Sequence, residues 1–573
     1  MTLRPLLLAA VLAVAPLAAP SFAQGLSGPY LAARIAGYGN DYDAAGEYYR
    51  KLISRGARTP RILENAVVIF SALGEVERAA DAARLLRAEE TPSQFADGAL
   101  LLEALVDEDY AAAKAMIGDR GVAGALLDGL MSGWIAVAEG DTDEAIAAFE
   151  VLAETEGFAP IAHLHQALVL AMAGDYQGAD DILSGRAHGP IGVSTRGIEA
   201  HAQILVQLDR GDDALELLGQ ANEQTNRPAL QDLAQRIEAG EDVPWTFITQ
   251  ASDGMAETYF TLAAIFAREA TSTFTLLSAR AANALRADHV DALVLTAELL
   301  DEQEQYDLAV EVLNKVPQSD PAYFGAEITR AEALLDSDKE EAAIEVLSAL
   351  TKSHPDRQTV WAAYGDTLRR MERFEESASA YDRALDLAPR GQARDWYLHY
   401  VRGIALERTE RWDEAEADFR EALALNPDQP QVLNYLGYGL VEKRIKLAEA
   451  LEMIERAVEV MREQAAKAGR QEDGYITDSL AWVYYRLGRF EEAVAPMERA
   501  ANLEPRDPIV NDHLGDVLWM VGRKREAEFQ WERALSLDPA EEDAPRIRRK
   551  LEVGLDAVLV EEGGVGSVEA AEE

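Results

Sequence analysis

The stretch from Pro508 to Ala540 reads PIVNDHLGDVLWMVGRKREAEFQWERALSLDPA and contains two amphipathic halves on either side of Gly522. Small or large apolar residues recur in each half at spacings of three and four, which is the spacing of one face of an α-helix. Glycine allows the positive φ of a tight turn between the halves, and Pro539 ends the second one. The stretch therefore predicts two helices packed against each other. The positions that carry the pattern are Leu514, Gly515 and Leu518 in the first half and Ala527, Trp531 and Ala534 in the second.

The same pattern recurs along the chain with a period of 34 residues. A large apolar residue often follows the small one four places later, as Trp531 follows Ala527. One such helix pair cannot bury its apolar face alone, so neighbouring pairs stack into an array of repeats. The small residues that mark the period are Ala45, Ala79 and Ala113, then Ala145 and Ala179, then Ala309, Ala343 and Ser377, and finally Ala493 and Ala527.

These repeats resemble the tetratricopeptide repeat (TPR), whose pattern is Trp-x2-Leu-Gly-x2-Tyr, then Ala-x3-Phe-x2-Ala, then Pro. About 13 or 14 of them fit between Leu26 and Ala540. A coiled coil would need an uninterrupted heptad, which the glycines and prolines forbid. An α/β domain would need strand-like runs, and none is longer than a few residues. The resemblance therefore predicts an all-α TPR solenoid, a right-handed superhelix of about 13–14 helix pairs in two blocks.

Residues 1–23 have the composition of a secretory signal peptide. A positively charged start precedes the apolar run Leu6–Leu17, and Ser21-Phe-Ala23 fits a small-x-small cleavage site. We expect cleavage before Gln24; the alternative is an uncleaved anchor, for which the apolar run is too short to span a bilayer. The sequence thus predicts an exported, soluble protein of the periplasm, with secretion as the second choice.

The register of the repeat divides the rest of the chain. We predict an N-terminal TPR block over 24–224 and a C-terminal TPR block over 257–540. The register breaks over 225–256, which is either an irregular connector, as a hinge or an insertion, or one degenerate repeat. The polar segment 541–560 predicts a capping helix. The final residues, 561–573, are rich in Gly, Ala and Glu and predict a disordered acidic tail.

The chain is strongly acidic, with 101 Asp and Glu against 54 Lys and Arg and a net charge of −47 at pH 7. Nucleic-acid binding needs a basic surface, so we exclude it for the chain as a whole. The acidity indicates either electrostatic recruitment of a basic partner or the solubility of a long molecule.

The sequence contains no motif for catalysis or for a cofactor. It has no P-loop, no dinucleotide-binding glycine motif after a strand and no nucleophile elbow. It has no cysteine, which excludes disulfides and thiolate zinc sites. His163 and His165 lie on different sides of a helix, so they do not form a metal-binding pair. We therefore predict no enzyme activity, no cofactor and no bound metal.

The concave side of a TPR array is formed mainly by the first helix of each repeat. In the C-terminal block its positions hold aromatic rings with Asn, Asp and His between them, as peptide-binding surfaces do. Alternatively, some rings, above all Trp482 and Tyr485, fill space against the next repeat. The aspartates would oppose a carboxylate, so we favour a neutral or basic segment as the ligand. The predicted protein-binding residues are Tyr397, Tyr400, Asn434, Tyr435, Tyr438, Asp478, Trp482, Tyr485, Asp512, His513, Asp516 and Trp519.

Three segments, Leu433-Asn-Tyr-Leu-Gly-Tyr438, Asp478-Ser-Leu-Ala-Trp-Val-Tyr-Tyr485 and Asn511-Asp-His-Leu-Gly-Asp-Val-Leu-Trp519, resemble the exported TPR proteins of proteobacteria. That group includes the outer-membrane lipoprotein adaptor of a carboxyl-terminal processing protease. The resemblance implies a non-catalytic periplasmic scaffold that binds partner proteins or peptides and delivers substrates to an envelope protease. This chain lacks the lipid-bearing cysteine of that adaptor. The alternative is a structural component of an envelope or polysaccharide-export assembly.

Overall fold

The structure is a computed structural model that describes residues 26–563 except 123, 193, 225–226, 270–271 and 389–394. The predicted signal peptide and nearly all of the predicted acidic tail lie outside the described residues. Backbone contacts divide the chain into two compact parts, the N-terminal unit Met1–Ala343 and the C-terminal unit Ile344–Glu573. The division of the repeats into two blocks around 225–256 stays a prediction.

The described residues of the N-terminal unit form α-helices joined by turns, with no β-strand. The helices are α1 (Ser27–Tyr38), α2 (Tyr42–Ser54), α3 (Pro60–Leu73), α4 (Val76–Ala88), α5 (Gln94–Val106), α6 (Tyr110–Arg120), α7 (Ala125–Ala138), α8 (Thr142–Ala153), α9 (Ala159–Met172), α10 (Tyr176–Leu183), α11 (Thr195–Gln207), α12 (Gly211–Gln224), α13 (Pro228–Glu238), α14 (Ala251–Glu269), α15 (Ser272–Leu285), α16 (Val290–Asp301), α17 (Tyr306–Leu313) and α18 (Tyr323–Asp336).

The next helix, α19 (Glu340–Ser353), contains the division between the two units. No described helix in either unit combines the length and the apolar character needed to cross a membrane. The helices of the C-terminal unit are α20 (Gln358–Arg370), α21 (Phe374–Leu387), α22 (Trp396–Arg408), α23 (Trp412–Leu425), α24 (Pro430–Glu442), α25 (Leu447–Ala468), α26 (Gly474–Arg486), α27 (Phe490–Leu503), α28 (Pro508–Met520), α29 (Lys524–Ser536), α30 (Ala544–Val553) and α31 (Leu555–Glu561).

The two helices of a repeat cross where one of them carries a small residue. A Cβ atom added to Gly515 of α28 would lie 2.3 Å from Nε1 of Trp531 in α29. Trp531 is fully buried and donates its Nε1–H to Oδ1 of Asp516 at 3.0 Å. Ala527 in α29 is also fully buried. The small residues of the 34-residue pattern therefore set how closely paired helices approach.

Glycines with positive φ form several of the turns between paired helices, as the sequence predicts for Gly522. Gly174, Gly488 and Gly522 have φ values of 86°, 74° and 82° between the helices of their repeats. Gly211 is an exception, because it begins α12, and Asp209 takes the left-handed conformation there with a φ of 57°.

In the N-terminal unit, the helix pair α14–α15 packs against first helices of earlier repeats: α14 contacts α7, and α15 contacts α3 and α5. Trp134 of α7 is fully buried, and a Cβ atom added to Gly254 of α14 would lie 2.2 Å from its ring. Arg280 of α15 donates its Nε–H to the carbonyl oxygen of Ala72 at 2.8 Å. The pair α14–α15 thus covers a face that α3, α5 and α7 would otherwise expose.

The C-terminal unit ends in two short helices, α30 and α31, where the sequence predicts one capping helix. Gly554 separates them, because its φ of 84° is incompatible with a continuous right-handed helix. A Cβ atom added to Gly554 would also lie 2.6 Å from the ring of Trp519. The close contact with Trp519 and the positive φ explain why a glycine stands at this break.

Candidate functional site

The C-terminal unit has a cavity of about 480 Å³ on the face formed by successive first helices of its repeats. Most of its wall comes from α24, α26 and α28, and the end of α22 contributes one carboxylate. We call this cavity the groove pocket. Its lining residues are Glu407, Asn434, Tyr435, Tyr438, Gly439, Glu442, Lys443, Tyr475, Asp478, Ser479, Asp507, Ile509, Val510 and His513.

Stacking of the first helices explains why residues far apart in the sequence meet here. Residues at equivalent positions of neighbouring repeats lie side by side, so Asn434 of α24 and Asp478 of α26 share one wall. Five of the twelve predicted binding residues line the groove pocket: Asn434, Tyr435, Tyr438, Asp478 and His513.

Trp482, Tyr485 and His513 form a stack of rings beside the groove pocket. The centroid of the Trp482 ring lies 3.9 Å from that of His513 and 4.7 Å from that of Tyr485. Trp482 is 6% exposed and Tyr485 is 8% exposed, and Trp482 donates its Nε1–H to Oε1 of Glu442 at 2.7 Å. Both rings therefore pack in the core of the unit and do not line the cavity, which is the alternative that the sequence left open.

An ion pair links two of the helices that form the wall of the groove pocket. Nδ1 of His513 lies 3.0 Å from Oδ2 of Asp478, and both side chains are buried. Burial alone would lower the pKa of the His513 imidazole, but the carboxylates of Asp478, Asp512 and Asp516 together outweigh burial and raise that pKa. The pair joins α26 to α28 and neutralises one carboxylate of the pocket.

Sequence models of the tetratricopeptide repeat match this chain at several places. One model matches residues 30–94, 130–183, 365–430, 400–468 and 479–542, and a second matches residues 302–366. Together these matches cover more than half of the chain. The chain belongs to the tetratricopeptide repeat family. The predicted all-α TPR solenoid is therefore confirmed, and the repeats support a role as a scaffold for protein–protein interactions.

Two curated TPR proteins are similar to part of the chain. A TPR repeat-containing protein of Pseudomonas aeruginosa is 25% identical over 206 residues, which are 35% of this chain and 32% of that protein. Human tetratricopeptide repeat protein 13 is 27% identical over 158 residues, which are 27% of this chain and 18% of that protein. The chain thus spans about a third or less of the length of these relatives.

Solved TPR structures also align with the chain. The Cut9 and Hcn1 hetero-tetramer of APC/C aligns at 14% identity and a TM-score of 0.38, covering 93% of this chain and 97% of that chain. Yeast Tom70 aligns at 14% identity and a TM-score of 0.34, covering 94% of this chain and 96% of that chain. TM-scores below 0.5 do not identify a shared arrangement of the whole chain.

In the last TPR repeat, three of the predicted binding residues contact the terminal helices of the chain itself. They are Asp512, Asp516 and Trp519. Nζ of Lys550 in α30 lies 2.7 Å from Oδ2 of Asp512 and 2.6 Å from Oδ1 of Asp516. Trp519 donates its Nε1–H to Oδ2 of Asp556 at 3.1 Å. The terminal helices therefore cover these side chains, and the three do not line the groove pocket.

The two tyrosines predicted in α22 also lie outside the groove pocket. Tyr397 is half-exposed, and its hydroxyl lies 3.3 Å from Oδ1 of Asp366. Tyr400 is partly buried, and its ring centroid lies 6.0 Å from that of Tyr435. Tyr400 thus supports a ring of the pocket, whereas Tyr397 lies one TPR repeat away from most of the pocket wall.

Sequence reasoning missed the charged rim of the groove pocket. Glu407, Glu442 and Asp507 line it, and none of them forms an ion pair with a described residue. Burial raises the pKa of the Tyr438 hydroxyl most, and the nearby carboxylates of Glu442 and Asp478 raise it further. For Glu442, the helical spacing could have predicted this position. Glu442 follows Tyr438 by four residues and so lies on the same face of α24.

Proposed function

We propose that the chain is a non-catalytic scaffold that binds an extended segment of a partner protein in the groove pocket. The observation that carries this proposal is the cavity of about 480 Å³ lined by aromatic and polar side chains from three successive first helices. Tyr435, Tyr438 and Tyr475 supply contact area at low entropic cost, and Asn434 and Ser479 supply polar groups for a main chain.

The first helices α3, α5 and α7 of the N-terminal unit are already covered, which favours the C-terminal unit as the place where a partner binds. Helices α14 and α15 cover them, as the burial of Trp134 against Gly254 shows. Among the described residues of the C-terminal unit no helix pair covers the groove pocket in this way, and Tyr475 at its edge is 54% exposed. An external segment would therefore find aromatic surface in the C-terminal unit.

We also place the protein outside the cytoplasm, as a periplasmic adaptor that delivers substrates to an envelope protease. The support for export is the signal-like composition of residues 1–23, and the adaptor role rests on the resemblance to exported TPR proteins of proteobacteria. Mature protein recovered from the periplasmic fraction should begin at Gln24. Protein recovered from the cytoplasm with an intact Met1 would contradict this placement.

A photo-crosslinking experiment tests the groove pocket as the binding site. A photoreactive phenylalanine derivative is introduced at Tyr475 of the mature chain, and irradiation is done in envelope extract. The matched control carries the same group at Phe529, which is 61% exposed on the second helix α29. We expect defined crosslinked products from position 475 only. Identical products from both positions, or none from position 475, would show that the pocket does not bind a partner.

A further inference from the structure

We propose that the groove pocket holds a positively charged side chain, an arginine or a lysine, of the bound segment. This proposal rests on the proposed function, because it names the chemistry that the same pocket recognises. Four carboxylates line the pocket, those of Glu407, Glu442, Asp478 and Asp507. The cations among the lining residues are Lys443 and His513, so the lining has more negative than positive groups.

The positive groups of the lining are already engaged. His513 is paired with Asp478 at 3.0 Å, which leaves that pair neutral when the imidazole is protonated. Nζ of Lys443 lies 4.9 Å from the ring centroid of Trp412, outside the set of lining rings. The carboxylates of Glu407, Glu442 and Asp507 form no ion pair within the described chain. Even with His513 protonated, the four carboxylates of the lining exceed its two cations, and this excess of negative charge attracts a cation and repels an anion.

The chain itself holds a cation in this way one repeat further on. Asp512 follows Asp478 by 34 residues and so occupies the same position of its first helix. Lys550 of α30 is 1% exposed and lies within 2.7 Å of Asp512 and 2.6 Å of Asp516. Lys550 of α30 thus occupies the region of the last repeat that corresponds to the groove pocket. In the groove pocket the equivalent Asp478 is paired with His513, whereas Glu407, Glu442 and Asp507 have no paired cation within the described chain.

The uncharged lining also suits a cation. Tyr435, Tyr438 and Tyr475 present aromatic rings, whose negative faces attract ammonium and guanidinium groups. Because a guanidinium has five N–H donors in a plane and an ammonium group has three, an arginine can donate to more of the four carboxylates that line the pocket. Arginine therefore fits the lining better than lysine does.

Immobilised peptide libraries test the proposal with the full mature chain. Each library has one fixed central residue and mixed neutral flanking residues, with arginine, lysine, citrulline, leucine or glutamate at the centre. Citrulline has the shape of arginine without its charge. We expect binding to the arginine and lysine libraries to be at least about tenfold stronger than binding to the citrulline library, because only the charge differs for arginine.

The paired variant Glu407→Gln with Glu442→Gln removes two charges and keeps the acceptors for Tyr435 and Trp482. It should lower binding to the arginine library about tenfold and leave the citrulline library unchanged. The control, Glu421→Gln with Glu452→Gln, removes two charges from exposed positions of α23 and α25. This control should change binding to neither the arginine library nor the citrulline library.

The outcomes separate the two proposals. Equal binding to all five libraries would overturn the choice of a cation and leave the groove pocket as a peptide site. Preference for leucine or glutamate at the centre would do the same. Failure to bind any library would overturn both the cation and the peptide-binding function.

Discussion

At the scale of single residues, the stack of Trp482, Tyr485 and His513 determines which rings of the C-terminal unit belong to the core. Trp482 contacts His513 of the next repeat and donates a hydrogen bond to Glu442 of the preceding one. Such a ring joins three repeats. Its position on a first helix is typical of a binding residue, but its surroundings are those of a core residue.

We expect Trp482→Ala to lower the free energy of unfolding by about 3–5 kcal/mol, because a large buried ring leaves a cavity when it is removed. Thermal melting and peptide affinity are measured on the same variant. At a temperature where the variant is folded, affinity should stay within about twofold of the wild type. Lost affinity with an unchanged melting temperature would show that the ring contacts the ligand.

The pair of His513 and Asp478 makes the stability of the C-terminal unit depend on pH. The groups that face His513 are Asp478, Asp512 and Asp516, and the raised pKa means that the folded state favours the charged imidazole. This contribution is fully present below about pH 6.5, the ordinary pKa of histidine, and is lost as the pH rises through the raised pKa. The stability difference between the wild type and His513→Gln should therefore shrink as the pH rises above about 6.5. A difference that stays constant, measured by urea unfolding at each pH, would contradict this assignment.

At the scale of helices, the terminal pair α30–α31 closes the last repeat through a buried cation. The 34-residue period predicted the helix pairs and brought Asn434, Tyr438 and Asp478 to one face, because equivalent positions of stacked helices are neighbours. The burial of Asp512 and Asp516 was not predictable in that way. It depends on Lys550, which lies outside the repeat pattern and at the far side of a turn.

We expect Lys550→Met to lower the free energy of unfolding by about 3–5 kcal/mol, because two buried carboxylates lose their closest cation and keep only Arg546 at 3.5–3.8 Å. The matched control is Lys524→Met, whose lysine is half-exposed and 3.4 Å from Asp556. It should cost less than about 1 kcal/mol. Chemical denaturation of both variants measures the difference. If both variants lost the same free energy of unfolding, Lys550 would not be buried between the aspartates in solution.

At the scale of the whole molecule, each repeat of a solenoid is stabilised mainly by its immediate neighbours. Each of the two compact units, Met1–Ala343 and Ile344–Glu573, has its own apolar clusters in its described residues, among them one around Trp134 in the first unit and one around Trp531 in the second. A local defect near one end should therefore open nearby helices without affecting distant ones. This property suits a scaffold, since a partner can strain one groove while the other repeats keep their structure.

Gly515→Ala tests this locality. The new Cβ atom would lie 2.3 Å from Nε1 of Trp531, so the change should overpack the crossing of α28 and α29 and cost about 1–3 kcal/mol. Amide hydrogen exchange should rise in α26–α31 and stay at the wild-type rate in α1–α15, because each repeat of a solenoid depends mainly on its immediate neighbours and α1–α15 are many repeats away along the chain. The control Gly219→Ala adds a Cβ atom with nothing within 4 Å in the interior of α12, and it should leave exchange unchanged or slower. Faster exchange throughout both units of Gly515→Ala would mean that the chain unfolds as one cooperative body, and coupling between neighbouring repeats alone could not then explain its stability.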